Sequence, residues 1–383
     1  MGIGASTVEE LVVNVGYWNG RRVLVTGHTG FKGSWLTFWL ASIGAKVSGV
    51  GLPPVTQPNL YSILRLDGRC QSMIGDIKQP GVLADAIRNF EPEVIIHMAA
   101  QALVLASYHD PVGTYETNVI GVVRLLDAVR HSSSVRSVVV VTSDKCYENR
   151  EQIWGYRETD ALGGHDPYSS SKGAAEIAAQ SMQKSFFRPF VADGHPARIA
   201  TVRAGNVIGG GDWSSNRLVP DIIRGLLGPE GVVHLRNPKA VRPWQHVLEP
   251  LSAYVRIAEL LDVAPAGIDE AWNIGPDSRD TRPVIELGEA LATALGTGKL
   301  ILGTNAGEPH EATLLTLDCT KAHTKLGWQP RLLFEDCVRW TAEWYAAWHR
   351  SQDMSEFTLR QIAHFEEMRA TLHRHTNVET HRP

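Results

Sequence analysis

A phenol and an amine stand four residues apart in DPYSSSKG, as Tyr168 and Lys172. That spacing puts both on one face of a helix. A phenol with a pKa of about 10 is a poor base at neutral pH, and a neighbouring ammonium favours its phenolate. The pair can then take a proton from a hydroxyl while hydride leaves the carbon that bears it. Upstream, Ser143 ends the apolar run RSVVVVTS, where its hydroxyl can bond the new carbonyl oxygen. Asp144 and Lys145 follow directly. Simple redox chemistry needs neither. An acid and an amine beside an oxidising trio suit a second proton transfer, such as loss of water next to a fresh ketone. The plainer alternative is a structural ion pair between them.

A second cluster, VTGHTGFKG, spaces Gly27, Gly30 and Gly33 three apart. Glycines there allow a tight turn and let backbone amides approach a diphosphate, and the helix that follows adds free N–H groups and a favourable dipole. The expectation is a dinucleotide cradle of Gly27, His28, Gly30, Phe31, Lys32 and Gly33. The spacing is GxxGxxG, not GxGxxG. No carboxylate follows the second strand in GVGLPP, and no arginine is there for a 2′-phosphate. NAD is therefore expected over NADP, held less tightly than usual, with His28 and Lys32 compensating from the phosphate side. Asp76 is placed to accept from the adenine amino group. Ile77, Ala99 and Ala100 complete the expected cofactor contacts.

These groups need elements to position them. The sequence predicts strands at 21–27, 45–52, 72–77, 93–100, 136–143 and 198–207. Helices are predicted at 31–44, 81–90, 112–131 and 168–187. Short, continuously apolar strands alternating with amphipathic helices imply a parallel sheet buried on both faces. The expected fold is a doubly wound (Rossmann) α/β sheet with a smaller interleaved C-terminal substrate lobe. Ligands of such sheets sit at the carboxyl ends of the strands, where both clusters lie. The expected division is a Rossmann domain over 17–205 with returns near 240–275, a substrate lobe over 206–350, and an extension over 351–383 with a frayed end. Within the lobe, 231–235 and 271–275 read as strands and 249–262 as a helix. Trp340, Trp344 and Trp348 mark one face of a late helix and read as a packing stripe.

Bulk properties narrow the class. The chain has 383 residues, 43% hydrophobic and 20% charged, with a net charge of −4. That describes a globular protein with no basic field for nucleic acid or membrane. Its four cysteines, Cys70, Cys146, Cys319 and Cys337, form no CxxC pair, which fits neither a zinc site nor a disulfide framework and suits a reducing cytoplasm. The N-terminus lacks a signal-peptide pattern, although MGIGAS matches the loose myristoylation motif. No apolar run is long enough to span a bilayer.

Together Ser143, Tyr168 and Lys172 resemble the active-site trio of the short-chain dehydrogenase/reductase superfamily. Nucleotide-sugar 4,6-dehydratases carry hydroxyl–Asp–Glu at this strand end, and Ser143-Asp144-Lys145 departs at its third position. That departure resembles the CDP-glucose 4,6-dehydratases. The resemblance covers about residues 17–350 and includes TGHTGFKG (26–33), GDI (75–77), HMAAQ (97–101), TSDKCY (142–147), WGYRE (154–158), RAGNVIGGGDW (203–213) and RPWQHVLEPL (242–251). It implies an NAD-dependent hydro-lyase acting on CDP-glucose in deoxysugar biosynthesis for lipopolysaccharide O-antigen. Asp144 would be the acid for the C6 hydroxyl. Lys145 would be the C5 base, or would orient the group that acts. Arg242 is the leading candidate to grip the diphosphate, since a guanidinium binds phosphate bidentately. The resemblance adds Arg217 and His310. Asn206 is placed for the sugar or diphosphate, and Gln101 and Ser107 for sugar hydroxyls. A homodimer or dimer of dimers through helices 112–131 and 168–187 is expected. The alternatives are a nucleotide-sugar 4-epimerase, a dehydratase using another nucleotide, and a non-catalytic NAD sensor.

Overall fold

The computed structural model describes residues 13–187, 194–235, 237–264, 266–277, 280–303 and 314–376, with side chains through Met368. Its centre is a seven-stranded, all-parallel sheet. The strands are β1 (Arg22–Thr26), β2 (Lys46–Gly51), β3 (Gln71–Ile74), β4 (Val94–His97), β5 (Ser137–Val141) and β6 (Arg198–Arg203), joined by Ala271–Asn273. The order runs from Ala271–Asn273 through β6, β5, β4, β1 and β2 to β3. The order in which strands are added reverses between β1 and β4, and such a switch point opens a crevice at the strand ends.

Strands buried on both faces explain the unbroken apolar runs. Val23, Val25, Val94, Ile96, Val139 and Val141 face one layer, packed with Trp35 and Trp39 of helix Phe31–Ser42 and with Leu251 and Tyr254 of helix Leu248–Val263. Leu24, Ile95, Val138 and Val140 face the other, against helices Val82–Phe90, Gly121–Val129 and Pro167–Phe186. Helix Leu248–Val263 and strand Ala271–Asn273 thus return to the large sheet from late in the sequence. Trp340 and Trp344 are buried in the first core, with Trp348 packed against it, as the stripe suggested.

Two departures concern the site. The helix expected over 112–131 is interrupted by one wide, π-type turn at Glu116–Ile120, and a short helix, Val104–His109, precedes it. The wide turn directs Asn118 inward, where its Nδ2 donates to Ser171 Oγ at 2.8 Å and its Oδ1 accepts from Gln101 N at 2.9 Å. Such turns recur at functional sites.

The smaller lobe is built from short ladders. Val207–Ile208 pairs with Gln245–His246, Val241–Pro243 with Thr281–Pro283, and Val232–Leu235 with Lys299–Leu302. The last helix, Met354–Thr376, continues through residues 370–376, where the sequence shows no clear periodicity. It lies back on the first crossover helix: Phe365 meets Trp39 edge-on with ring centroids 6.1 Å apart. Among the described residues, no helix is long and apolar enough to cross a membrane.

Candidate active site

The residue pattern DPYSS builds the start of the reactive helix. Asp166 caps it, accepting from Ser169 N at 2.9 Å and Ser169 Oγ at 2.5 Å, and Pro167 takes the first turn, where no N–H is needed. Tyr168 and Lys172 follow on the inward face, both buried. Burial leads in holding the Tyr168 phenol up at about 12, while its hydrogen bond to Ser143 and the Arg217 charge pull down. Burial likewise lowers the Lys172 ammonium to about 8, against the pull of Glu176. The phenol is therefore protonated until a positive charge arrives beside it.

Strand β5 delivers the other groups. At its end the chain tightens into a single turn, Asp144–Cys146, with the Ser143 hydroxyl accepting from Lys145 N. Ser143 Oγ donates to Asp144 Oδ1 at 2.9 Å, and Asn206 Nδ2 donates to Asp144 Oδ2 at 3.2 Å. Hydroxyl, carboxyl and amide thus form one hydrogen-bonded chain, and the Tyr168 phenol lines the same cavity. Asn206 holds a left-handed backbone at φ 51, which asparagine tolerates better than most residues. No ion pair joins Asp144 to Lys145 among the described residues, so the plainer reading finds no support. Ser143, Asp144, Lys145, Tyr168 and Lys172 all line one cavity of about 710 Å³. Phe31, Lys32, Ala100, Asn206, Arg217 and Arg242 line it too, so the two clusters converge.

Cations line the far wall. Arg217 Nη1 lies 3.2 Å from Asp212 Oδ2. Arg242 is mostly buried and donates to Val241 O at 2.9 Å. Lys32 turns its side chain into the chamber instead of staying with the glycine turn. Burial leads in lowering its ammonium to about 7, with Lys172 and Arg217 adding to the effect and Asp144 opposing it.

The glycine turn is shaped by close approach. A Cβ on Gly33 would stand 2.0 Å from Gly27 O, and one on Gly27 would stand 2.9 Å from Ala99 Cα. Strand ends β1 and β4 are stitched there: Thr26 Oγ1 accepts from Ala99 N at 3.0 Å and meets His97 Nδ1 at 2.7 Å. Gly27, Gly30, Gly33 and Ala99 therefore offer backbone, not side chains. Asp76 is half-buried and accepts from Lys78 N at 2.9 Å, while Ile77 sits in the core beside Gly121.

Three expectations need correction. His28 does not compensate a diphosphate with charge: its ring is fully buried against Gly49 and bonded to Ser72 Oγ at 2.7 Å. Burial lowers it to about 4, so it is neutral at physiological pH. Gln101 spends its side chain internally, donating to Thr114 Oγ1 and accepting from Leu103 N. Ser107 is wholly buried, donates to Val104 O and accepts from Tyr168 N at 3.1 Å. It steadies the Tyr168 turn and does not face a sugar. His310 lies outside the described residues.

Comparison with known proteins now bears on the site. The family described as GDP-mannose 4,6 dehydratase matches residues 24–341. A CDP-glucose 4,6-dehydratase of Salmonella typhimurium is 46% identical over 92% of this chain and 98% of its own length. This chain belongs to the nucleotide-sugar 4,6-dehydratases. A dTDP-glucose 4,6-dehydratase of Xanthomonas campestris is 24% identical over 84% of this chain and 92% of its own. Among solved structures, the dTDP-glucose 4,6-dehydratase of Streptomyces venezuelae, with NAD and TYD bound, aligns with a TM-score of 0.71 at 25% identity, covering 86% of this chain and 98% of that one. The UDP-glucose 4-epimerase of Thermotoga maritima aligns with a TM-score of 0.73 at 23% identity, over 86% and 99%, and shows the shared fold. The dehydratase is thus a hydro-lyase on a Rossmann-type sheet.

Sequence reasoning missed the floor beneath the dehydratase's reactive groups. Glu176, one helical turn past Lys172, is fully buried and pairs with Arg203 at 2.8 Å. Its oxygens also accept from Thr142 Oγ1 at 2.5 Å and Thr201 Oγ1 at 2.7 Å. Arg203 Nη1 reaches Tyr147 Oη at 2.7 Å, and Tyr147 donates to Asn273 Oδ1. The signal was present: a lone acid inside GAAEIAAQ, four residues after Lys172. Asn118 gave no such signal, because the wide turn that aims it has no mark in the sequence.

Proposed function

We propose that the enzyme converts CDP-D-glucose to CDP-4-dehydro-6-deoxy-D-glucose with loss of water, using NAD, as one step of deoxysugar biosynthesis for surface polysaccharide. One observation carries the reading: the wall of one cavity, where Ser143 and Asn206 fix a carboxyl, brings together Tyr168, Ser143, Asp144 and Lys145. A 4-epimerase has no use for the last two. The CDP preference is drawn from the Salmonella typhimurium relative.

The glycine turn fits NAD, because it leads into helix Phe31–Ser42, whose N-cap Gly30 brings no side chain to compete with a diphosphate for the first N–H groups. The turn at Gly27, Gly30 and Gly33 would hold NAD, which would supply the hydride exchange with the sugar and a positive ring beside the phenol. The chain's residues do the rest. Tyr168 takes the C4 hydroxyl proton, helped by the Lys172 charge, and Ser143 bonds the resulting oxygen. Asp144, fixed by Ser143 and Asn206, gives its proton to the C6 hydroxyl. Lys145 removes the C5 proton or orients the group that does. Arg217 and Arg242 neutralise the diphosphate.

We further infer a homodimer or dimer of dimers. Val112, Ile120 and Ile177 are exposed on the helices at 111–129 and 167–186, an apolar face that a second copy would cover.

The test is incubation of the purified enzyme with CDP-, UDP-, dTDP- and GDP-glucose, followed by mass spectrometry. Loss of one water with the CDP sugar alone is expected. An epimer of unchanged mass, or preference for another nucleotide, would overturn the reading.

A further inference from the structure

The turn that carries Asp144 and Lys145 is held at both ends, and the two holds differ in kind. Before it, the chain is still in the sheet: Thr142 N donates to Val202 O at 2.9 Å, continuing the β5–β6 ladder up to Ser143. After it, the chain leaves the sheet. Cys146 O accepts from Gly163 N at 2.9 Å, and the Tyr147 backbone pairs with Leu162. Residues 162 and 163 are themselves in a loop, so this ribbon of two loop segments sets no height above the sheet. The Tyr147 side chain does.

Its ring is buried and stacks on Tyr156, with centroids 5.1 Å apart and planes 21° apart. The Arg203 guanidinium lies 4.9 Å from the Tyr147 ring centroid. The Tyr147 hydroxyl donates to Asn273 Oδ1 at 2.7 Å and accepts from Arg203 Nη1 at 2.7 Å. Both partners end strands of the sheet, Arg203 in β6 and Asn273 in Ala271–Asn273. Both are fixed in turn. Arg203 pairs with the buried Glu176. Asn273 N donates to Glu158 Oε1 at 2.9 Å, and its Nδ2 donates to Tyr156 O at 2.7 Å. The Tyr147 proton is committed to Asn273, and burial raises the phenol above its ordinary value. Tyr147 lines the chamber yet offers a substrate neither acid nor base.

Resting on the dehydration reading, we infer that Tyr147 is a positioning residue for the elimination: its hydroxyl sets the height of the turn that presents Asp144 and Lys145 to the sugar. Oxidation at C4 does not depend on that hydroxyl in the same way. Tyr168 and Lys172 are placed by helix Pro167–Phe186, and Ser143 by the ladder that precedes the turn. Without the Tyr147 oxygen, the ribbon that follows Cys146 is free to shift against the sheet, and Asp144 and Lys145 shift with it. A displacement of this size is felt most by the proton transfers that need those two atoms in register.

Tyr147→Phe removes one oxygen and keeps the stacked ring. The NAD-loaded enzyme is mixed rapidly with CDP-glucose, and the near-ultraviolet absorbance of reduced nicotinamide is followed. Its rise reports oxidation at C4, and its decay reports elimination with hydride return. The variant should keep the wild-type rise and slow the decay by about tenfold or more, so that reduced cofactor accumulates beyond the wild-type level. Should Tyr147→Phe fail to fold, Asn273→Ala removes the same hydrogen bond from the other side and should give the same accumulation. A rise and a decay slowed by one common factor, as general loosening of the fold would give, would overturn the inference. So would a wild-type decay in a folded variant. A wild type that dehydrates none of the sugar nucleotides would overturn the functional reading and this inference with it.

Discussion

The two halves of the sheet's carboxyl edge are made in opposite ways. On the β1–β2 side the working surface is produced by leaving side chains out. Gly27 and Gly33 let backbone meet backbone, and Gly49 makes room for the His28 ring. On the β5–β6 side it is produced by stacking polar side chains. Tyr168, Ser143, Asp144 and Asn206 lie above the Glu176–Arg203 pair, with Thr142 and Thr201 saturating the buried carboxylate. The first half should fail when volume is added, the second when a hydrogen bond is removed. A ligand held by backbone needs only space and amide direction. Proton transfers need particular atoms at particular heights.

The largest expected effect comes from Tyr168→Phe. It removes the group that accepts the substrate proton and should lower kcat by about ten-thousandfold, the upper end for a positioned acid–base group. Circular dichroism should show an unchanged fold, and retained turnover would break the assignment of redox work to this half. Next is Glu176→Gln, which leaves Arg203 charged and buried with no counter-ion. Breaking such a pair costs about 3–5 kcal/mol, measurable as a lower midpoint in urea unfolding. Gly33→Ala probes the other half by adding one methyl group. With the Cβ 2.0 Å from Gly27 O, the turn must move, and overpacking of this kind costs about 1–3 kcal/mol. Calorimetric titration with NAD should show at least about tenfold weaker binding, and unchanged affinity would blur the contrast between the halves.

The smallest effect is a pH limb. Lys172 must be charged to favour the phenolate, and burial brings its pKa down to about 8. Raising pH through that value removes the charge, so kcat/KM should fall on the alkaline side with unit slope. Glu176 holds the value up, so in Glu176→Gln the limb should move to lower pH. A limb that stays in place would mean Glu176 acts on the fold alone.

The sheet was legible because β1, β2, β4, β5 and β6 are written as apolar runs, and burial on both faces leaves no other way to write them. The convergence of Tyr168, Lys172, Ser143 and Asp144 was legible through strand ends and helical spacing. The rest depended on directions that letters do not carry. Gln101 and Ser107 follow strand β4, where ligand residues of such sheets lie, yet nearby backbone and Thr114 claim their polar atoms. His28 follows a phosphate-type turn, yet the missing side chain of Gly49 draws its ring inward. Glu176 sits in an alanine-rich stretch that could face solvent in an isolated helix. Only Arg203, from a strand far along the chain, reveals its partner.

The seat of Phe365 on Trp39 has a consequence for biosynthesis. The crossover helix leaves the ribosome first, while the helix that covers it is translated only after every strand of the central sheet. For on the order of tens of seconds at ordinary elongation rates, a tryptophan-rich surface on the nascent chain lacks its final cover. Chaperone engagement during that interval, and sensitivity of yield to truncation before Phe365, follow from how far apart in the sequence these two packed helices lie.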